Sequence, residues 1–331
     1  MKVVIDSAIP YIAGVLEPYA EVVYRGGEEF STADVEDADA LIIRTRTRCG
    51  EALLEGSSVK LIATATIGFD HIDLQYCASR GIKVVTAAGC NAAGVLQWVA
   101  ATLARLSKAQ GWTPQQKRLG IVGVGNVGSL VERYARRWGF EVICCDPPRQ
   151  EREGGDFVTL EELLKKSDIV TLHTPLDATT RGMINQQTLA LMPKSATLIN
   201  ASRGEVAQTE ALLSAEQTLC LDVWEREPNI DRELLSKAFV ATPHIAGYSA
   251  QGKANAAMAV VRAVAQKFAL PLAEWYPSEV SSVERKDILW EDMCQSIERY
   301  CNLQSESEML KTCPAEFESL RNNYNYREEY F

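Results

Sequence analysis

The chain is poor in histidine, short of positive charge and free of long apolar runs, and each shortage narrows what it does. Only three histidines occur in 331 residues, so the search for acid–base groups is brief. Lysine and arginine number 34 against 44 aspartates and glutamates, a net charge of −10. That balance disfavours nucleic acid and anionic membranes as partners, because both select for cations, though it leaves room for a local basic pocket. No stretch approaches the ~18 consecutive apolar residues of a membrane-spanning helix, and no secretory apolar segment opens the chain. Nine cysteines are present, an odd number, with no Cys-x-x-Cys pair. They read as thiols in a reducing cytoplasm, mostly small core residues, and no metal is expected. Internal repeats and low-complexity tracts are missing too.

What is there is an ordinary globular composition, 47% hydrophobic and 24% charged, long enough for two domains and a core that needs no disulfide. Short apolar runs, KVVI, ALIIR, LIATA and IKVVTA, alternate with stretches read as helical around Ile12–Tyr19 and Ile72–Arg80. That is the rhythm of a parallel sheet with crossover helices. Asn91 reads as the N-cap of a long helix over Ala92–Ser107, and Gln110–Lys117 as a connection. A second alternating array then runs from RLGIVGVG to FVATPH. The fold expected is α/β, with two Rossmann-like parallel-sheet domains and a small C-terminal module. The divisions read from sequence are 1–91 for substrate, 92–249 for a nucleotide, 250–270 as a returning helix and 271–331 as a dimerisation module. In the last, Trp275, Tyr276 and Trp290 accompany too few residues for an independent core, so a homodimer is expected.

Gly123-Val-Gly125-Asn126-Val127-Gly128 follows one of these strands and opens a helix. Its glycines permit a tight turn, close approach of a pyrophosphate, and tight helix–strand packing, while the helix N-terminus offers N–H groups to phosphate. A lone glycine pattern is a weak signal. Here Asp146 ends the next strand, where a carboxylate bonds ribose hydroxyls and repels a 2′-phosphate. Strand, loop, helix and acid in that order point to NAD rather than NADP, although Arg149 stands close by.

Each histidine alone is more often structural than catalytic. His71 lies in GFDHID, His173 in TLHTP and His244 in ATPHIAGYS. Company separates the third. Glu227 in DVWEREP is suited to hold an imidazole and stabilise its charged form, and Arg203 in NASRGE to grip a carboxylate through its planar fork. Hydride transfer from a 2-hydroxyacid needs those parts: a base for the hydroxyl proton and a cation for the carboxylate.

NASRGEV, LDVWEREP and TPHIAGYS, together with GVGNVG and Asp146, resemble the D-2-hydroxyacid dehydrogenase family in motif, order and spacing. The resemblance spans roughly residues 40 to 265 and implies Arg203, Glu227 and His244 as the catalytic set. It further implies Asp222 as the acid bonding the nicotinamide carboxamide, and Thr174 and Gly247 as residues lining the cofactor beside Asn126 and Val127. IIRTRTRC, TATIGFDHID and AAGCNAAGVLQWV are similar to the branch of that family that oxidises 4-phospho-D-erythronate in pyridoxal phosphate biosynthesis. That likeness implies Thr45, Thr66 and Tyr248 as contacts to a small phosphorylated hydroxyacid, and a C-terminal module serving dimerisation. Read without the resemblance, Arg44-Thr-Arg46-Thr-Arg48, if extended, sets three arginines on one face and two threonines on the other. Two other readings stay open: oxidation of 3-phosphoglycerate or reduction of glyoxylate and hydroxypyruvate, and an NAD(H)-sensing corepressor in which the fold is a binding module.

Overall fold

The computed structural model describes all residues 1–331 and divides into two compact units. The first comprises Met1–Asn91 and Ala250–Ser282, the second Ala92–Ser249 and Val283–Phe331. The segment read from sequence as a separate tail module is thus shared: its first residues go with the first unit and the remainder folds into the second.

The first unit is a five-stranded parallel sheet made of β1 (Lys2–Asp6), β2 (Glu21–Arg25), β3 (Ala40–Ile43), β4 (Leu61–Thr64) and β5 (Lys83–Thr86), in the order β2-β1-β3-β4-β5. Successive side chains alternate faces, and both faces are covered. Val3, Ile5, Ile42, Leu61 and Ala63 pack with Val260, Val261 and Val264 of the helix Ala250–Phe268. Val4, Leu41, Ile43 and Ile62 pack on the other side with Leu54 and Cys77.

Three local expectations fail here. Residues 12–19 form turns rather than a helix: Ile12 and Leu16 are buried at helical spacing, but Pro10 and Pro18 flank them, and Tyr11 and Gly14 take positive φ of 64° and 83°, outside the helical region. The triple arginine is not extended. Its backbone turns, with the Thr47 N–H donating to the Arg44 carbonyl at 3.3 Å; Arg44 pairs with Asp6 and Arg46 with Glu28, both at 3.1 Å, so the three do not share one face. Asn91 does not cap the long helix either, since its side-chain oxygen is buried without a hydrogen bond.

The second unit holds six parallel strands: β6 (Arg118–Val122), β7 (Glu141–Cys145), β8 (Ile169–Leu172), β9 (Thr197–Asn200), β10 (Thr218–Leu221) and β11 (Val240–Ala241). Their order is β11-β10-β9-β8-β6-β7. Ile121, Cys144, Ile169, Ile199 and Cys220 bury one face beneath the helices Ala92–Gln110 and Asn126–Trp138. Val122, Val170, Leu172, Leu198 and Leu221 bury the other beneath the helices Leu160–Lys166, Thr209–Leu213 and Arg232–Lys237. Residues 283–331 complete both layers. Trp290 is 8% exposed among Trp112, Trp138 and Phe140, and Leu310 and Phe317 close the opposite side. Trp290 is therefore spent on this chain's own core, which removes it as an argument for self-association.

Register is what makes this sheet a platform. Cys145, Val122, Leu172, Asn200, Leu221 and Ala241 pair across the whole sheet in one row. Each is the last residue of its strand, so the segments that follow emerge along a single carboxyl edge. The chain order reverses between β6 and β8, and in parallel α/β sheets ligands bind at the carboxyl edge beside such a reversal.

Candidate active site

Gly123 leaves β6 at that reversal. Its φ is +85°, and an ideal Cβ there would stand 2.8 Å from the carbonyl carbon and oxygen of His173. At Gly128 a Cβ would stand 2.0 Å from the Gly123 oxygen, so helix and turn touch backbone to backbone. Gly125, by contrast, has nothing within 4 Å of its Cβ position and precedes the helix Asn126–Trp138 as its N-cap. The first and third glycines are needed by the protein's own packing; the second leaves open space above exposed N–H groups. Asn126 is exposed and Val127 half-buried against the core.

Asp146, just past β7, ties this loop down. One carboxylate oxygen accepts the Val124 N–H at 2.7 Å and the other the Arg149 N–H at 2.9 Å, capping the helix Pro147–Glu153. A carboxylate offers about four acceptor positions, so a ribose remains within its capacity. Arg149 turns to Glu153 at 2.8 Å and to the Val124 carbonyl at 2.9 Å, which commits the cation that would otherwise favour a 2′-phosphate. After β8, the Thr174 hydroxyl is buried without a partner. His173 beside it bonds the Thr171 hydroxyl at 3.0 Å, and burial pushes its pKa down to about 3. It stays neutral at physiological pH and is no acid–base candidate.

His244 emerges after β11 in a left-handed conformation, φ 59°, uncommon outside glycine. Asp222, past β10 and 1% exposed, supplies the supports that hold it. The Asp222 carbonyl accepts the His244 N–H at 2.8 Å. Its carboxylate accepts the Thr242 hydroxyl (2.6 Å), the Ile245 N–H (2.8 Å) and the Ala246 N–H (2.9 Å). Three of its acceptor positions thus hold the His244 loop. Burial pushes the Asp222 carboxyl above its ordinary pKa, with His244 and those donors opposing. The sequence pointed to this residue for a cofactor contact and gave no hint of its bracing role.

Glu227 meets His244 directly. Its Oε2 lies 2.7 Å from Nδ1 of His244, and its Oε1 accepts the Trp224 N–H at 2.9 Å. Burial pushes this carboxyl up, but His244, the Trp224 N–H and Arg321 outweigh it, leaving the pKa below the usual glutamate value. An ionised partner at Nδ1 assigns the ring proton to that nitrogen and leaves Nε2 as the free base. Arg203 follows β9 and donates through one nitrogen to the Ser202 carbonyl at 2.8 Å. An ideal Cβ on the adjacent Gly204 would stand 2.0 Å from the Trp224 carbonyl carbon and 2.4 Å from the Glu225 nitrogen. The loop carrying Arg203 is therefore locked to the loop carrying Glu227, and Glu227 to His244.

Tyr248 and Gly247 continue the His244 loop. Two residues that sequence reading missed support it from residues 317–331. Arg321 donates through Nε to the Tyr248 hydroxyl at 3.2 Å. Arg327, 7% exposed, donates to the Ile245 and Gly94 carbonyls at 3.0 Å each and also to the Ala246 carbonyl. Thr45 and Thr66 lie in the first unit, past the ends of the neighbouring strands β3 and β4. Thr45 is exposed, whereas the Thr66 hydroxyl bonds Thr64 at 2.6 Å and the Gly68 carbonyl at 3.0 Å.

Comparison with known proteins bears on this arrangement. The sequence model of the NAD binding domain of D-isomer specific 2-hydroxyacid dehydrogenases matches residues 86–246. Erythronate-4-phosphate dehydrogenase of Bacteroides fragilis is 44% identical over 341 residues, covering 99% of this chain and 97% of the relative. The chain belongs to the erythronate-4-phosphate dehydrogenase branch of the D-isomer specific 2-hydroxyacid dehydrogenases. A member from Ectopseudomonas mendocina is 38% identical over 99% of this chain and 93% of its own. Among solved structures, Aquifex aeolicus D-lactate dehydrogenase complexed with NAD and lactic acid matches with TM-score 0.67 at 25% identity, over 85% of this chain and all of that one.

As a D-isomer specific 2-hydroxyacid dehydrogenase, the protein is an NAD-dependent oxidoreductase. Its own residues fit that cofactor. Gly125 leaves space above a helix N-terminus, Thr174 buries an unpaired hydroxyl beside it, and Asp146 retains acceptor capacity, all on one sheet edge.

Proposed function

We propose that the protein oxidises 4-phospho-D-erythronate at C2 to 2-oxo-3-hydroxy-4-phosphobutanoate, a step of pyridoxal phosphate biosynthesis. The observation that carries the reading is the 2.7 Å contact of Glu227 with Nδ1 of His244, in a chain 44% identical to a relative named for that substrate. His244 Nε2 takes the proton of the C2 hydroxyl, and Glu227 stabilises the imidazolium that forms. Arg203 keeps donors beyond its Ser202 bond for the substrate carboxylate and for the oxygen at C2. NAD, when bound, accepts the hydride that leaves C2. Gly123, Gly125, Asn126, Val127 and Gly128 hold its diphosphate, Asp146 its ribose, and Thr174, Asp222 and Gly247 line its nicotinamide end. Thr45, Thr66 and Tyr248 contact the substrate.

The reading includes a homodimer in the cytoplasm. Nine cysteines that remain thiols support the compartment, and Leu289 and Met309, 60% and 50% exposed, offer apolar surface for association; a monomer in sedimentation at micromolar concentration would remove the dimer. For the substrate, purified protein is assayed for NADH with 4-phospho-D-erythronate beside 3-phospho-D-glycerate and glyoxylate or hydroxypyruvate in the reverse direction. Preference for the first is expected. Equal or better turnover of another acid overturns the substrate and leaves the dehydrogenase standing.

A further inference from the structure

Residues 317–331 contribute more than packing to the second unit. Arg327 fixes three backbone carbonyls around the His244 loop and bonds the Tyr324 hydroxyl at 3.2 Å. Tyr324 in turn donates to Glu306 at 2.7 Å, and Ser249, which ends the loop, donates to Glu329 at 2.7 Å. With Phe317 1% exposed, this segment is held at both ends. Between those anchors stands Arg321. Its Nη1 lies 3.8 Å from Oε2 of Glu227, the same oxygen that meets His244, and its Nε donates to the Tyr248 hydroxyl. The rings of Tyr324 and Tyr326 flank Tyr248 edge-on at 6.2 and 6.1 Å.

We propose that Arg321 is a positioning residue of the active site, acting through Tyr248 and Glu227 from outside the catalytic motifs. A phenol oxygen that accepts from a guanidinium directs its own proton elsewhere. Tyr248 is thereby fixed as a donor to an anionic group of the substrate, its ring held by two tyrosines and its oxygen by a cation. The second contact places Glu227 between two cations once His244 has taken a proton, so the carboxylate stays in one orientation through turnover. A lysine reproduces the charge but not the fork that reaches two acceptors at once.

The inference rests on the reading of His244 and Glu227 as the proton-transfer pair, and the test separates the two. Steady-state kinetics with NAD and 4-phospho-D-erythronate are measured for R321A, R321K, Y248F, R321A/Y248F and H244A. For R321A, kcat/KM falls about 10- to 100-fold, the scale of a lost charge-assisted hydrogen bond, mainly through KM, with NAD affinity unchanged. R321K falls between R321A and wild type. Millimolar guanidinium ion restores part of the R321A rate, which a purely structural role would not allow. The double variant loses little more than the worse single one, because both changes break one unit. Where R321A melts early, R321Q, which keeps the side-chain length, takes its place. Wild-type kinetics in R321A beside an inactive H244A overturn the inference alone, as do effects of R321A and Y248F that multiply. Full activity in H244A overturns the reading beneath it.

Discussion

Replacing Gly204 by alanine puts a carbon where the protein has no room for one. The glycine is not needed for its backbone angles, since its φ is not positive; the demand is spatial. An ideal Cβ falls 2.0 Å from the Trp224 carbonyl carbon, 2.1 Å from its oxygen and 2.4 Å from the Glu225 nitrogen. Ordinary van der Waals contact for a Cβ begins near 3.4 Å, so the two loops must part by more than 1 Å. The atoms met are backbone, which cannot swing aside like a side chain. Overpacking of this kind costs about 1–3 kcal/mol, a fall in Tm of roughly 2–12 °C for a body of this size. Activity suffers more. The displaced loops carry Arg203 on one side and Glu227 on the other, and a misplacement of ~1 Å costs on the order of 10²-fold. The glycine turn follows β6, separated from β9 by β8, so the diphosphate end of the cofactor site stays in place and NAD affinity falls less than kcat/KM. Calorimetry, NADH-forming kinetics and cofactor titration on G204A check each part. Wild-type kcat/KM with an unchanged Tm would refute the claim that this close approach sets the catalytic geometry.

Other outcomes follow from the same site. H244A loses about 10²–10⁴-fold in kcat, the contribution of a general base, and binds NAD as wild type does by fluorescence titration. D222N sets an amide N–H₂ against the N–H of Ala246 or of Ile245, and chemical denaturation reports a loss of about 1–3 kcal/mol together with impaired turnover. For Glu227 the folded-state pKa is depressed, so its ionisation stabilises the fold above its unfolded value of about 4.3, and that contribution is lost as pH falls through the folded value. Melting curves taken from pH 7 down to 3 then show wild type declining more steeply than E227Q below pH ~4.3, and parallel curves would refute the assignment.

Sequence alone revealed most of the platform because its signals are local. Apolar runs marked the three interior strands and the edge strand β5 of the first sheet, but not the other edge strand β2, whose residues EVVYR carry charge at both ends. The glycine turn and the motifs around Arg203, Glu227 and His244 were legible for the same reason: each is a few adjacent residues next to a strand end. The stretch around Ile12–Tyr19 misled because burial of Ile12 and Leu16 needs no helix when prolines shape the chain around them. The triple arginine misled because alternation holds only while the backbone stays extended, and separate carboxylates at Asp6 and Glu28 draw two of the arginines apart. Arg321 and Arg327 left no trace at all. Their partners on and around the His244 loop lie 73 to 233 positions away, and nothing local in RNNYNYREEY points to a catalytic loop.

The reach of Arg327 back to Gly94, Ile245 and Ala246 also orders the assembly of the His244 loop along the chain. Chains leave the ribosome N-terminus first and fold in that order, so the sheet edge can assemble while the loop bearing His244 still lacks its last braces. A nascent chain stalled before residue 317 would carry every catalytic motif and still lack the contacts of Arg327 to the Gly94, Ile245 and Ala246 carbonyls.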